Sequence, residues 1–231
     1  MEHVVIGIEG LVGAGKTSIC RELIKILPNT ILLNGGNLYR AIVYVMMKSG
    51  ANLDKLKAQA KEIDIKTVMD LFHIELKIEN NETKIYMDGH IIEEEELQSR
   101  QASLAVSEVG GKANNEALFV FARNLIEHLK IEHNIIVSGR SLMQIYPKTD
   151  YHFFITASLE ERARRKSIQY KGETDIEELV NHIAKRDELQ KQAGFYELSA
   201  NTICIDVTEC KTVEESTSKV LSHIKLPQDI K

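Results

Sequence analysis

The sequence predicts a three-layer α/β protein: a parallel sheet with helices on both faces and a small antiparallel β insert. Three observations predict it. Short apolar, largely β-branched runs recur at Val4–Ile8, Thr30–Leu33, Asn134–Val137, Tyr151–Thr156 and Thr202–Val207. Stretches of helical spacing separate most of them, as crossovers between parallel strands require. At residues 73–92 the period changes instead to alternation around two turns.

Each element follows from its residues. Val4–Ile8 alternates little, as in a strand buried on both faces. The stretch GIEGLVGAGKTS (Gly7–Ser18) follows, and a helix is predicted from near Lys16 to about Leu27, where Pro28 stops it. Thr30–Leu33 is a strand broken by Asn34-Gly35-Gly36-Asn37, with helical spacing from Leu38 up to Gly50. Residues 53–72 read as helix in two pieces. His73–Ile78 and Thr83–Met87 alternate across Asn80-Asn81-Glu82, and Asp88-Gly89-His90 turns again before Ile91-Ile92, an antiparallel meander with one wet face. Residues 93–132 read as two helices parted by Gly110-Gly111. The strand Asn134–Val137 ends at Ser138-Gly139-Arg140. Tyr151–Thr156 feeds a helix at Leu159–Tyr170, residues 174–192 are helical, and Thr202–Val207 precedes a last helix at 213–224.

Composition narrows the function classes. A hydrophobic fraction of 43% and a charged fraction of 27% describe an ordinary folded protein. The net charge of −5 argues against general nucleic-acid binding, which needs a basic face. No apolar run approaches the roughly 20 residues of a membrane helix. Cys20, Cys204 and Cys210 are widely spaced and show no metal-ligand pattern, which reads as reduced thiols in a cytoplasmic protein. The histidines show no paired spacing and take no chemical role. Glu93–Glu96 reads as the first turn of a helix, where the dipole favours acids.

Gly10-Leu11-Val12-Gly13-Ala14-Gly15-Lys16-Thr17 fits GxxxxGK[ST] in full. Glycines let backbone N–H groups turn inward on a phosphate, and the following helix points its positive end at the same anion. Gly10, Gly13, Ala14, Gly15, Lys16, Thr17 and Ser18 are the predicted ATP-binding residues. Lys16 reaches the β/γ-phosphates and is a predicted catalytic cation; Thr17 offers its hydroxyl to Mg²⁺. Glu9 reads equally as a water-mediated Mg²⁺ partner or as an ordinary polar strand end.

The sequence lacks the guanine-reading Asn-Lys-x-Asp segment of a GTPase. It also lacks the acid-ended strand of an ATPase motor, since Asn134–Val137 ends in Ser138. A small kinase fits better, and it needs a second anion site for its acceptor. Arg40 and Arg140 follow strands at the sheet edge where ligands bind. Arg162, Arg164, Arg165 and Lys166 cluster on the helix after the fourth strand, with Arg186 on the next.

Together these residues resemble the bacterial cytidylate kinase family of the P-loop nucleoside monophosphate kinase superfamily, over about Val4 to Ile224. The resemblance rests on the P-loop, on Leu33–Arg40, on the meander, on Ser138-Gly139-Arg140, on Ala157–Arg165 with Gln169, and on Lys185-Arg186-Asp187. It implies a P-loop kinase fold with a five-stranded parallel sheet in the order 2-3-1-4-5. It implies one domain over 1–231: a core of about 1–50 and 112–231, a monophosphate-binding insert at about 51–111 and a lid at about 158–192. By resemblance Tyr39, Arg40, Ser107, Arg140 and Arg186 bind the acceptor, and Arg162 and Arg165 close over the donor phosphates.

The acceptor side diverges. Asn34-Gly35-Gly36 stands where the family reads Asp-Ser-Gly, and Ser138-Gly139-Arg140-Ser141 where it reads Asp-Gly-Arg-Asp. Asn115 stands where an arginine is expected, and Leu189, Gln190 and Ala193 replace further polar residues. The implied activity is ATP- and Mg²⁺-dependent transfer of the γ-phosphoryl to CMP or dCMP. A different small-molecule acceptor on the same scaffold, and an ATP-binding protein without turnover, stay open at this point. The expected partner is a phosphorylated small molecule, the expected state a monomer or weak homodimer.

Overall fold

In the computed structural model, which describes residues 3–41, 69–70, 73–92, 97, 116–171, 175–196 and 198–225, the apolar runs pair into one sheet. Its strands are β1 (Val5–Gly10), β2 (Thr30–Asn34), β3 (Ile74–Glu79), β4 (Glu82–Met87), β5 (His90–Ile91), β6 (Asn134–Ser138), β7 (Tyr151–Thr156) and β8 (Thr202–Asp206). Their order is β3-β4-β2-β6-β1-β7-β8, with β5 beside β4. The strands β2-β6-β1-β7-β8 are mutually parallel. Counted among themselves in chain order they run 2-3-1-4-5, as predicted.

The meander continues the main sheet. β4 lies beside β2, with Leu32 level with Glu82 and Leu32 N–H donating to the Asn81 carbonyl over 2.7 Å. The five expected strands thus become eight. Asn80 and Asn81 hold φ of 52° and 61°, the left-handed pair that joins antiparallel strands with matching twist. Ile74, Ile85 and Ile92 share one core with Ile31, Leu33, Ile135 and Val137 of the parallel strands.

The helices are α1 (Lys16–Ile26), α2 (Glu116–Leu129), α3 (Leu142–Ile145), α4 (Leu159–Gln169), α5 (Ile176–Gln192) and α6 (Val213–Leu221). α1 buries Ile19, Cys20, Leu23 and Ile24, one stripe at helical spacing, against Ile6, Ile8, Leu32 and Ile136. Phe121, Leu125 and Ile126 of α2 cover the opposite face. Alternate residues of β2 and β6 feed the two cores, which is why these strands read as continuous apolar runs. A third, small core joins Val12 of the glycine turn to Ala163 of α4 and to Leu179 and Ile183 of α5.

Two local expectations change. After β2 the chain is helical from Gly35, not Leu38, because the Asn34 side chain accepts from Asn37 N–H (3.1 Å) and caps the turn. α3 was not predicted; four residues are too few to show a period. The predicted helices at 53–72, apart from Met69 and Asp70, and most of 93–115 lie outside the described residues. So do Glu93–Glu96, Ser107 and Asn115.

Register places the functional loops together. Asn34 and Ile8 each lie level with Ser138, and Gly10 with Ile155. The carboxyl ends of β1, β2, β6 and β7 therefore share one edge, the place where open α/β sheets bind ligands.

Candidate functional site

The glycine turn is shaped by sterics first. Gly10, Gly13 and Gly15 have φ of 147°, 79° and 94°. At Gly10 an added Cβ would stand 2.2 Å from the Ile155 carbonyl oxygen, so β7 backbone occupies the space of any side chain. The amino end of α1 is bare: its cap, Gly15, brings no side-chain hydrogen bond, and no acid lies in the first turn. α4, α5 and α6 are finished otherwise, each with a Ser, Asp or Thr cap and two acids. A bare helix end beside a glycine turn is suited to an external anion. Gly10, Gly13, Ala14, Gly15, Lys16, Thr17 and Ser18 all belong to this one turn and the helix start.

Lys16 folds over the turn, its Nζ donating to the carbonyls of Gly10 (2.8 Å) and Leu11 (2.9 Å). Burial, followed by the positive charge of Arg140, lowers its pKa to about 8. The charge of one predicted anion site is thus felt at the other. These features fit the triphosphate of a nucleotide, whose charge Lys16 would offset.

Across the cleft, an added Cβ at Gly35 would meet the Ser138 carbonyl at 3.3 Å, and one at Gly139 would come within 4.0 Å of the Gly35 Cα. The two loops after β2 and β6 therefore touch, which brings Arg40 and Arg140 to one edge. Arg40 Nη1 donates to the Leu97 carbonyl (3.2 Å). Burial and then Arg186 lower the pKa of Arg40. Burial lowers that of Arg140 as well, with Arg186 and Arg40 acting in the same direction against Tyr196 and Glu9. The Arg186 charge on α5 is thus felt at both Arg40 and Arg140, and an anion among the three would relieve the repulsion. Tyr39 packs against the core beneath them, and burial raises its pKa.

The residues that replace the family's acids turn elsewhere. The Ser138 hydroxyl faces the thiol of Cys20, which burial pushes up to about 12. Ser141 sits in the left-handed region, φ 55°, at the start of α3. Glu9 is buried, its Oε1 accepting from Leu142 N–H at 2.5 Å and its Oε2 facing His152 Nε2 at 3.5 Å. Its carboxylate therefore has partners in the fold behind the turn, as a polar strand end would.

Arg162 and Arg165 meet the glycine turn from its outer side. Arg162 is buried and donates to the carbonyls of Ala157 (3.0 Å) and Val12 (3.1 Å) and to Asp187. Arg165 donates to Ala14, Val207 and Cys210 carbonyls and to Glu161. Arg164 pairs with Glu161 at the surface.

Sequence reasoning missed the aromatic wall of the cleft. α5 ends in a Schellman turn: Gly194 has φ 76°, Phe195 N–H donates to Gln190 and Gly194 N–H to Lys191. The chain folds back, placing the Phe195 ring 5.7 Å from the Arg140 guanidinium carbon. The Tyr196 hydroxyl bonds Asp187 and Gln190 while its ring meets Phe154 edge-on. Gly194 straight after a helix was the available signal.

A profile described as Cytidylate kinase matches residues 6–226. A cytidylate kinase of Clostridioides difficile is 30% identical over 98% of this chain and all of that protein. One of Alkaliphilus oremlandii is 31% identical over 97% of this chain and 99% of its own. A solved shikimate kinase of Bacteroides thetaiotaomicron superposes at a TM-score of 0.46 with 15% identity, over 96% of this chain and 99% of that one.

Proposed function

The chain belongs to the cytidylate kinase family, and on that premise we propose that the glycine turn holds ATP while Arg40, Arg140 and Arg186 hold the phosphate of CMP or dCMP. It is a nucleotide kinase, a transferase that moves a phosphoryl group from ATP to a nucleoside monophosphate. What supports the residue roles is the shared edge: Lys16 on the donor side lies close enough to Arg140 on the acceptor side for the Arg140 charge to help lower its pKa.

In this reading the amides of residues 13–18 bind the β-phosphate, and Lys16 leaves the Gly10 and Leu11 carbonyls to neutralise charge on the moving group. A magnesium ion would neutralise charge between the phosphates, held by the Thr17 hydroxyl and phosphate oxygens; among the described residues no cluster of three His, Cys, Asp or Glu offers it a separate cage. Arg40, Arg140 and Arg186 fix the acceptor phosphate in line. No general base is needed, because a phosphate monoester is already ionised near neutral pH. α4 and α5 act as the lid, and Arg165, more exposed than Arg162, exchanges the Ala14 carbonyl for a donor phosphate on closure. Ser107 and the insert at 51–111 complete the acceptor side.

The test is ADP formation from ATP and Mg²⁺ with a panel of nucleoside monophosphates and nucleosides. Acceptor-dependent ADP with CMP or dCMP is expected. Turnover only with another acceptor would overturn the choice of cytidylate, and ATP binding without acceptor-dependent ADP would overturn the transferase reading.

A further inference from the structure

Glu9 is the residue immediately before Gly10, the first glycine of the turn, and it lies on the face of β1 that also carries Gly7. An added Cβ at Gly7 would meet His152 Cδ2 at 3.1 Å and Leu142 Cδ1 at 3.3 Å. The missing side chain leaves room for the His152 ring beside Glu9. Glu9 and His152 are each 3% exposed.

Thr202 Oγ1 lies 2.9 Å from His152 Nδ1 and accepts from Ser199 N–H. With the Thr202 hydroxyl donating to Nδ1, the ring proton resides on Nε2, the atom facing Glu9 Oε2 at 3.5 Å. The opposite tautomer would set a lone pair against a carboxylate in a buried place. His152 Nε2 makes no hydrogen bond among the described residues, and the Glu9 carboxylate is the charged group that faces it. The second carboxylate oxygen takes the N–H of Leu142, 133 residues further along the chain. Leu142 opens α3 directly after Arg140 and the left-handed Ser141.

We propose that Glu9 is a positioning residue for the acceptor site: its carboxylate holds the turn that carries Arg140 to the end of the P-loop strand, with the buried His152 ring facing its second oxygen. The link acts through Arg140 and touches no substrate. It makes the spacing of donor and acceptor sites a property of one buried side chain, where a loose turn would leave Arg140 free to swing. The inference rests on the acceptor reading above for its catalytic consequence, but not for the link itself.

Two readouts test it. Glu9→Leu removes the accepting oxygen at similar volume, and Glu9→Gln keeps an oxygen and removes the charge. In Glu9→Leu, amide exchange over 139–145 is expected to quicken about 10-fold or more while that over 19–26 holds. KM for the acceptor should rise about 10-fold with KM for ATP within about 2-fold, and Glu9→Gln should recover part of both losses. If Glu9→Leu does not fold, Glu9→Gln and His152→Leu carry the same readouts, with about 3-fold effects on exchange and acceptor KM expected. Unchanged exchange over 139–145 overturns the link. Changed exchange with equal loss at both substrates overturns the positioning role. Absence of acceptor turnover in the unmodified protein instead overturns the acceptor reading, and exchange still decides the link.

Discussion

Arg162 Nη1 donates to Asp187 Oδ2 at 2.5 Å, while the same guanidinium holds the carbonyls of Val12 and Ala157. One side chain thus ties α4 to α5 and both to the glycine turn. Asp187 also takes the Tyr196 hydroxyl, which keeps Gln190 as an acceptor, so its loss leaves the buried Arg162 without its counter-ion. Asp187→Ala is expected to destabilise by about 3 kcal/mol, the usual cost of leaving a buried charge unpaired. Denaturant unfolding measures it; a change under about 0.5 kcal/mol would show that the pair contributes nothing net.

Lys16 gives a pH signature. Its folded pKa of about 8 lies below the ordinary lysine value, so the folded state releases this proton first as pH rises. Between about pH 8 and 10 the unfolded chain binds more protons, and stability without ligand rises with pH on this account. ATP affinity moves the other way, falling as pH climbs through about 8 and the ammonium is lost. Arg140→Leu removes the neighbouring positive charge and should carry that fall to higher pH. Titration calorimetry with ATP across pH 7–10 is the measurement, and a pH-independent affinity is the outcome against it.

Glu161 acts at the acid end. Hydrogen bonds from Arg164, then Arg165, hold its pKa down to about 2 against partial burial. Its contribution is present above the ordinary carboxyl range and drains away as pH falls from about 4.5 towards 2. Glu161→Gln should flatten the pH dependence of unfolding in that window and leave its shape above pH 6 alone. Thermal melts at stepped pH would show this.

The glycines of the turn are not equivalent. Gly10→Ala puts a methyl into β7 backbone on an already left-handed residue, and a loss above about 4 kcal/mol or failure to accumulate as soluble protein is expected. Gly13→Ala meets nothing closer than 3.5 Å, so only the backbone conformation is strained, about 1 kcal/mol. Comparison of the two melting temperatures checks the order.

Arg140 and Phe195 should separate binding from folding. Arg140→Ala is expected to raise acceptor KM at least about 10-fold while ATP binding persists. Phe195→Ala removes the ring beside the guanidinium and should cost less, about 3-fold in acceptor KM. Equal loss of ATP affinity in Arg140→Ala would place this arginine on the donor side.

Much of this molecule is legible before folding. The glycine turn, its strand and its helix are read correctly because sterics between near neighbours set them. The strand at Tyr151–Thr156 is read to the residue, since its apolar run is bounded on both sides. The meander is read as antiparallel but not as part of the main sheet, because Leu32 and Glu82 are joined by register and not by spacing. α3 is too short to show a period, and nothing in the local spacing marks Phe195 as a neighbour of Arg140.

By itself the sequence determined that an anion-binding turn opens a parallel α/β fold, because glycine tolerance, helix polarity and apolar period are local properties. Tertiary structure alone decided which charges meet. Arg162 became a buried tie, Glu9 a partner of Leu142, and Arg140 a neighbour of Lys16. Such outcomes depend on strand register across 100 residues or more, which sets both the burial of a charge and the partner that makes burial affordable.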